Sequence, residues 1–159
     1  MISWLTQTTI GKIVATFLIS MVPVIELRLG LPYGIALGLS YPVALGAAIL
    51  GNMLPVPFII IFIEKIFAWM RKHMPRFDGL VSKMETKAEQ KRETIEKYGY
   101  LGLLILVAIP LPGTGAWTGS LVAALMNLDF KKAVPCIFAG VLIAAGIMTA
   151  VTYGVKFIL

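Results

Sequence analysis

The sequence predicts an all-α integral membrane protein. It reads as an inverted repeat, each half a re-entrant helical hairpin plus one transmembrane helix, with an amphipathic cytoplasmic connector helix between the halves. Three observations predict it. Hydrophobic residues make up 58% of the 159 residues, and the mean hydropathy is +0.89, well above the soluble norm. The charge is confined: between Arg71 and Lys97 lie eight of the 14 Lys and Arg and five of the eight acids. That polar island separates two apolar halves, and each half repeats one order of features: broken apolar segment, polar turn, long apolar run.

The chain is expected to be a single membrane domain, residues 1–159. Residues 1–8 form a polar start with Trp4 as an interface anchor. Residues 1–11 carry no Lys or Arg, and no small-residue cleavage site follows, so a cleavable signal peptide is not expected. The first hairpin covers 9–39, as apolar pieces at 9–22 and 27–39 around a break that holds Pro23, Glu26, Arg28, Gly30 and Pro32. Each piece is about a dozen residues, or about 18–20 Å of helix, too short for a ~30 Å hydrocarbon core. Ser40-Tyr41-Pro42 is a turn, and 42–69 the first transmembrane helix, with Asn52, Pro55 and Pro57 inside it.

The island, 71–98, is an amphipathic helix. Leu80, Val81, Met84, Ala88, Ile95 and Tyr98 recur mostly at three or four residues, Pro75 and Asp78 open it, and Gly99 stops it. Its bland role is a solvated connector on the membrane surface. The second hairpin covers 99–126, as pieces at 99–109 and 116–126 around Pro110-Leu-Pro-Gly-Thr-Gly115, and 133–157 is the second transmembrane helix. Side by side, Glu26–Leu39 corresponds to Gly113–Met126, and Gly51 to Gly140 after a two-residue insertion.

The broken segments either cross as kinked spans or fold back as hairpins. Four full spans would export Lys131 and Lys132. Two hairpins and two spans collect 71–97 and 127–132 on the cytoplasmic side, leaving Lys12 and Lys156 outside. The positive-inside rule selects the hairpins, with loop 71–98 cytoplasmic.

The chemistry concentrates at the first break. Residues 13–25 and 29–63 hold no charge, so Glu26 and Arg28 stand alone in apolar sequence, where each charge costs about 2.5–3.5 kcal/mol. A hairpin tip offers a helix amide end, which attracts anions, and a carbonyl end, which attracts cations. Arg28 is read as the ligand of an anionic substrate group, and Glu26 as the carrier of a coupling proton or Na⁺. The bland alternative is that the two neutralise each other, or clamp the opposite hairpin. Gly113, Thr114, Gly115 and Thr118 form a tight second tip whose backbone amides and hydroxyls face substrate, with Trp117 beside it. Asn52 is either pore-lining or an interhelical hydrogen bonder, and Gly30, Gly34 and Gly38 form a small-residue packing face. Asp129 is read as a local ion pair with Lys131 and Lys132. His73 belongs to no cluster with metal-ligand spacing, so no metal site and no cofactor beyond the coupling ion is expected. No nucleophile with its base and no paired carboxylates occur, so an enzyme is not expected. The island's balanced charge does not make a nucleic-acid footprint. The lone Cys136 cannot form an intramolecular disulfide.

At Ile25-Glu-Leu-Arg-Leu-Gly-Leu-Pro32 and Pro110-Leu-Pro-Gly-Thr-Gly-Ala-Trp-Thr-Gly119 the chain resembles the small multidrug export protein family. Through the architecture of two opposed hairpins it is also similar, more distantly, to the DedA superfamily. The first resemblance implies a small inner-membrane transporter of bacteria or archaea, and drug efflux. The second implies movement of lipid head groups such as undecaprenyl phosphate, with acidic and arginine residues on the hairpins, places that Glu26 and Arg28 would fill. The second tip departs from that pattern, having no acid and no arginine between Leu101 and Met126. Three functions follow: an ion-coupled transporter of an anionic amphiphile such as a polyprenyl or phospholipid phosphate; a proton-coupled exporter of cationic drugs; a non-transporting membrane scaffold. The expected partners are membrane lipid, a small amphiphilic substrate and, on size alone, a second copy in a homodimer.

Overall fold

The computed structural model describes residues 7–111 and 114–158, so Trp4, Pro112 and Gly113 lie outside the described residues. Among the described residues every regular element is helical. Two helices are long and apolar enough to cross a membrane, Tyr41–His73 and Phe130–Gly154, of 33 and 25 residues. The protein is thus an all-helical membrane protein.

Helix α1 (Thr9–Met21) begins where the Thr8 hydroxyl accepts the Gly11 amide at 3.0 Å, an N-cap. It stops at Val22 and Pro23, and α2 (Glu26–Ala36) starts after a four-residue break. The arms close on each other through glycine. A Cβ on Gly30 would lie 1.9 Å from the Ser20 hydroxyl oxygen, and one on Gly34 2.8 Å from that of Thr16. Both hydroxyls are satisfied on their own helix, Thr16 donating to Lys12 O and Ser20 to Thr16 O, each at 2.8 Å, as polar groups away from water require. Gly38 has a different task from the packing expected of it. It ends α2 at φ +84, with Leu39 N donating to Gly34 O and Gly38 N to Ile35 O, a Schellman cap.

Helix α3 (Tyr41–Met53) leads through Leu54 into α4 (Pro55–His73). Gly51 seats α3 on α1, since a Cβ there would lie 2.2 Å from the Phe17 carbonyl oxygen. A short 3-10 turn, Pro75–Phe77, opens α5 (Asp78–Tyr98). Val81, Ala88 and Ile95, seven residues apart, are buried, and α5 packs on both following helices. Along one edge of that buried stripe run ion pairs of Arg71, from α4, with Asp78 and Glu85 and of Arg92 with Glu89 and Glu96. Both arginines face solvent, which screens these pairs, so they add little to stability.

Helices α6 (Tyr100–Ala108) and α7 (Ala116–Leu125) follow Gly99, which adopts φ +58. Asn127, at φ +52, ends α7 with the same cap as Gly38: Leu128 N donates to Ala123 O and Asn127 N to Ala124 O. Asparagine tolerates that conformation better than most residues. Asp129 caps the last helix, α8 (Phe130–Ile158), by accepting the Lys131 amide at 3.0 Å. Among the described residues it makes no ion pair with Lys131 or Lys132, which corrects the expectation. Gly140 seats α8 on α6, where a Cβ would lie 2.7 Å from the Val107 Cβ and 3.0 Å from Leu104 O.

Helices α3–α4 and α8 run antiparallel. Tyr41, at the start of α3, hydrogen-bonds Thr149 at 2.9 Å and packs edge-on against Tyr153, late in α8. At the other end Ile60, Ile61 and Glu64 share a cavity with Asn127, Leu128 and Phe130. The connector and the α7–α8 turn therefore lie at the same end of the molecule. The second arms cross over, α2 packing on α8 and α7 on α4, which brings the two breaks face to face.

Candidate functional site

The site is where the breaks meet. Val24 and Glu26 take positive φ, +75 and +49, as the chain reverses around Pro23. The Glu26 side chain is 3% exposed and points at the first turn of α7, where Oε1 accepts the Trp117 amide at 3.0 Å. Its carboxylate thus meets the positive end of the opposite hairpin's helix, a favourable placement.

Arg28, half a turn further along α2, meets the other pole. Its guanidinium donates to the carbonyl oxygens of Leu111, Ile109 (3.4 Å) and Thr114 (2.7 Å), and to Thr114 Oγ1 at 2.8 Å. The Ile109 and Leu111 carbonyls lie just past the end of α6, and the Thr114 carbonyl just before α7. Charge-assisted bonds of this kind are about twice as strong as neutral ones. Thr114 braces the second tip from within. Its hydroxyl lies 2.7 Å from Ile109 O and 2.8 Å from Leu111 O, and accepts the Leu111 amide at 3.2 Å.

Gly115 is required twice over. Its φ is +123, and a Cβ would lie 2.1 Å from Glu26 Oε2. Trp117 completes the join from the other direction, its indole Nε1 donating to Met21 O, the last carbonyl of α1, at 3.0 Å. The structure therefore brings Glu26, Arg28, Thr114, Gly115 and Trp117 together. Gly113 lies outside the described residues.

A cavity of about 330 Å³ opens beside the join. Glu26, Thr114, Trp117 and Thr118 line it from the two hairpins, and Leu80, Met84 and Lys87 line it from α5. The connector residues were missed in the sequence, where Lys87 looks like any lysine on a solvated face. The available signal was the heptad of Val81, Ala88 and Ile95, which turns the adjacent Leu80–Met84–Lys87 edge toward the hairpins. Asn52 does not join the group. It is buried in α3, its Oδ1 has no hydrogen-bond partner among the described residues, and it does not line this cavity. No group of three His, Cys, Asp or Glu suited to a metal occurs among the described residues.

Comparison with curated proteins and with solved structures gives no match. The family model described as "putative small multi-drug export protein" matches residues 26–147, a stretch that begins at Glu26, just after the first break, and includes the second break, the connector and most of α8. Its name is that of an exporter, not an enzyme. By the extent of this match, with the Glu-Leu-Arg tip and the Pro-Leu-Pro-Gly-Thr-Gly-Ala-Trp tip both inside it, the chain belongs to the small multidrug export protein family.

Proposed function

We propose that the protein is a small ion-coupled secondary transporter of an anionic amphiphile such as a polyprenyl or phospholipid phosphate, built as an inverted repeat of re-entrant hairpins in the inner membrane. The observation that carries this reading is the mutual capping of the two breaks beside a cavity. Inverted repeats with broken helices that meet at the midplane are the architecture of secondary transporters.

Packing supports the repeat and moves its register. Gly51 meets Phe17, and Gly140 meets Leu104 and Val107. Gly30 meets Ser20, and Gly119 meets Val107. Gly38 and Asn127 close the same cap. A single offset, 87 before the breaks and 89 after them, relates all of these. The two-residue insertion therefore falls inside the second break, and Glu26–Leu39 pairs with Gly115–Leu128 instead of Gly113–Met126. Under this register Arg28 corresponds to Trp117. Each donates a side-chain N–H near the end of the opposite hairpin's first arm, Arg28 to Ile109 O one residue past α6 and Trp117 to Met21 O at the last residue of α1. The antiparallel course of α3–α4 and α8 supports hairpins over kinked spans, with loop 71–98 and residues 127–132 together on the cytoplasmic side. The more distant relation to the DedA superfamily is part of the same reading.

In this mechanism the joined tips are one state of a cycle. Protonation of Glu26, or Na⁺ captured by it, loosens its bond to the Trp117 amide. The Arg28 guanidinium then exchanges tip carbonyls for phosphate oxygens, an acceptor its fork fits better. Thr114, Thr118 and the backbone amides at Gly113 and Gly115 supply neutral contacts to the same head group. A second reading has one observation in its favour: Glu26 is the carboxylate lining the cavity, and Arg28 does not line it. Proton-coupled export of cationic drugs would use that carboxylate as the selector. Reconstituted vesicles separate the two. Under a pH gradient, movement of a fluorescent phosphatidic acid that stops with Arg28→Ala supports the first reading. Movement of a cationic dye instead, indifferent to Arg28→Ala and lost with Glu26→Gln, would replace it.

A further inference from the structure

A second cavity, of about 520 Å³, runs along α4 and is lined almost wholly by hydrocarbon. Phe58, Phe62, Ile66 and Trp69 form its length, and the Lys65 stem borders it. From Pro55 to Trp69 the helix rises about 21 Å at 1.5 Å per residue. Trp117 lines this groove and also the cavity beside Glu26. One indole is thus a shared wall between a chamber that holds Glu26, Lys87, Thr114 and Thr118 among apolar side chains and a track of hydrocarbon. Both volumes fall within the range of small-ligand sites, about 300–1,000 Å³.

We infer that the two cavities are the head-group and chain subsites of a single amphiphile site, and that Lys87 of the connector is the cation that receives the head group. The inference rests on the anionic reading given above and adds to it where the charge is met and where the chain lies. Four observations lead there. Arg28 is already engaged by three carbonyls and a hydroxyl in this state, so it is not the cation first offered to an incoming anion. Among the described lining residues of the chamber beside Glu26, Lys87 is the cation. Arg71 and Arg92, by contrast, are held by carboxylates on and beside the same helix, and no carboxylate is paired with Lys87 among the described residues. Finally, Trp117 borders both cavities, so an alkyl chain anchored at Lys87 is led past it onto the aromatic face of α4. A long flexible stem with a compact ammonium suits such a capture role, since it follows a head group as the tips part.

The test uses the full chain in nanodiscs of phosphatidylcholine, with 12-bromododecyl phosphate as probe and bromine quenching of tryptophan as readout. Two single-tryptophan proteins keep either Trp117 or Trp69. The expected result is saturable quenching of both with one midpoint. Lys87→Gln weakens that midpoint by about tenfold or more, the loss of one charge-assisted contact. Lys87→Arg restores it, and Lys83→Gln, on the exposed side one turn away, leaves it unchanged. Equal affinity in wild type and Lys87→Gln would overturn the role of Lys87 while leaving the anionic reading intact. Quenching of Trp69 that never saturates, without quenching of Trp117, would show ordinary lipid contact and overturn the joined site. Saturable quenching by a brominated alkyltrimethylammonium, and none by the phosphate, overturns the anionic reading and this inference together.

Discussion

The two breaks do the same geometric job with opposite materials. The first spans four residues, contains no glycine, and turns through Val24 and Glu26 at positive φ. The second extends from Ile109 to Gly115, turns through Gly115, and is held from within by the Thr114 hydroxyl. A left-handed conformation costs about 1–2 kcal/mol at a residue with a Cβ and almost nothing at glycine. The second break is therefore a self-satisfied template. The first is strained, and it keeps its shape because Glu26 and Arg28 are bonded to that template. The difference teaches which side of the join stores the tension: the charged one.

Substitutions can break or sharpen that contrast. The largest effect is expected for Gly115→Ala, which places a Cβ on the Glu26 carboxylate and forces a positive φ on alanine. Strain and overpacking together amount to about 4 kcal/mol, to be read as a much lower melting temperature in detergent. Next comes Arg28→Ala, which removes the charge-assisted bonds to the Leu111, Ile109 and Thr114 carbonyls at about 2–3 kcal/mol, and stops transport as well. Arg28→Lys should recover part of the stability, because an ammonium reaches fewer carbonyls than a guanidinium fork.

Glu26→Gln keeps an acceptor for the Trp117 amide but removes the charge, so a loss of about 1–2 kcal/mol is expected. Any pH dependence of transport that Glu26 carries should flatten, and a persisting pH profile would remove it from the coupling role. Trp117→Phe deletes the bond to Met21 O at about 1 kcal/mol, measured as a small drop in melting temperature with the fold retained. The smallest change has the opposite sign. Val24→Gly relieves the left-handed strain of about 1–2 kcal/mol but adds about 0.5–1 kcal/mol of chain entropy. A net gain of under about 1 kcal/mol in melting experiments is the expectation, and a clear loss would mean that the first break is not strained.

Much of this was legible in the chain for reasons that are local. An all-helical membrane protein follows from long apolar runs, and the family is carried by two short motifs that survive as written. Glu26 and Arg28 stand out because nothing near them in sequence is charged. What they touch was not legible: the partners lie more than eighty residues away, and apart from the Thr114 hydroxyl they are backbone atoms, which have no sequence signature. The register of the repeat was hidden for a related reason. Few residues are identical between the halves, and the match appears only where glycines sit against equivalent turns of the facing helix. Lys87 escaped notice because its chemistry is ordinary and its significance comes from the cavity beside it.

The passage from α3 to α4 has a mechanical consequence. Pro55 and Pro57 lack the amides that would have reached the Gly51 and Met53 carbonyls, while Gly51 is wedged against Phe17. Such a rod is stiff on the Tyr41 side and compliant at one joint. Deflection of its far half collects at residues 54–57, as in a flexure hinge, and the α1–α3 contact stays at rest. The apolar groove rides on the moving half.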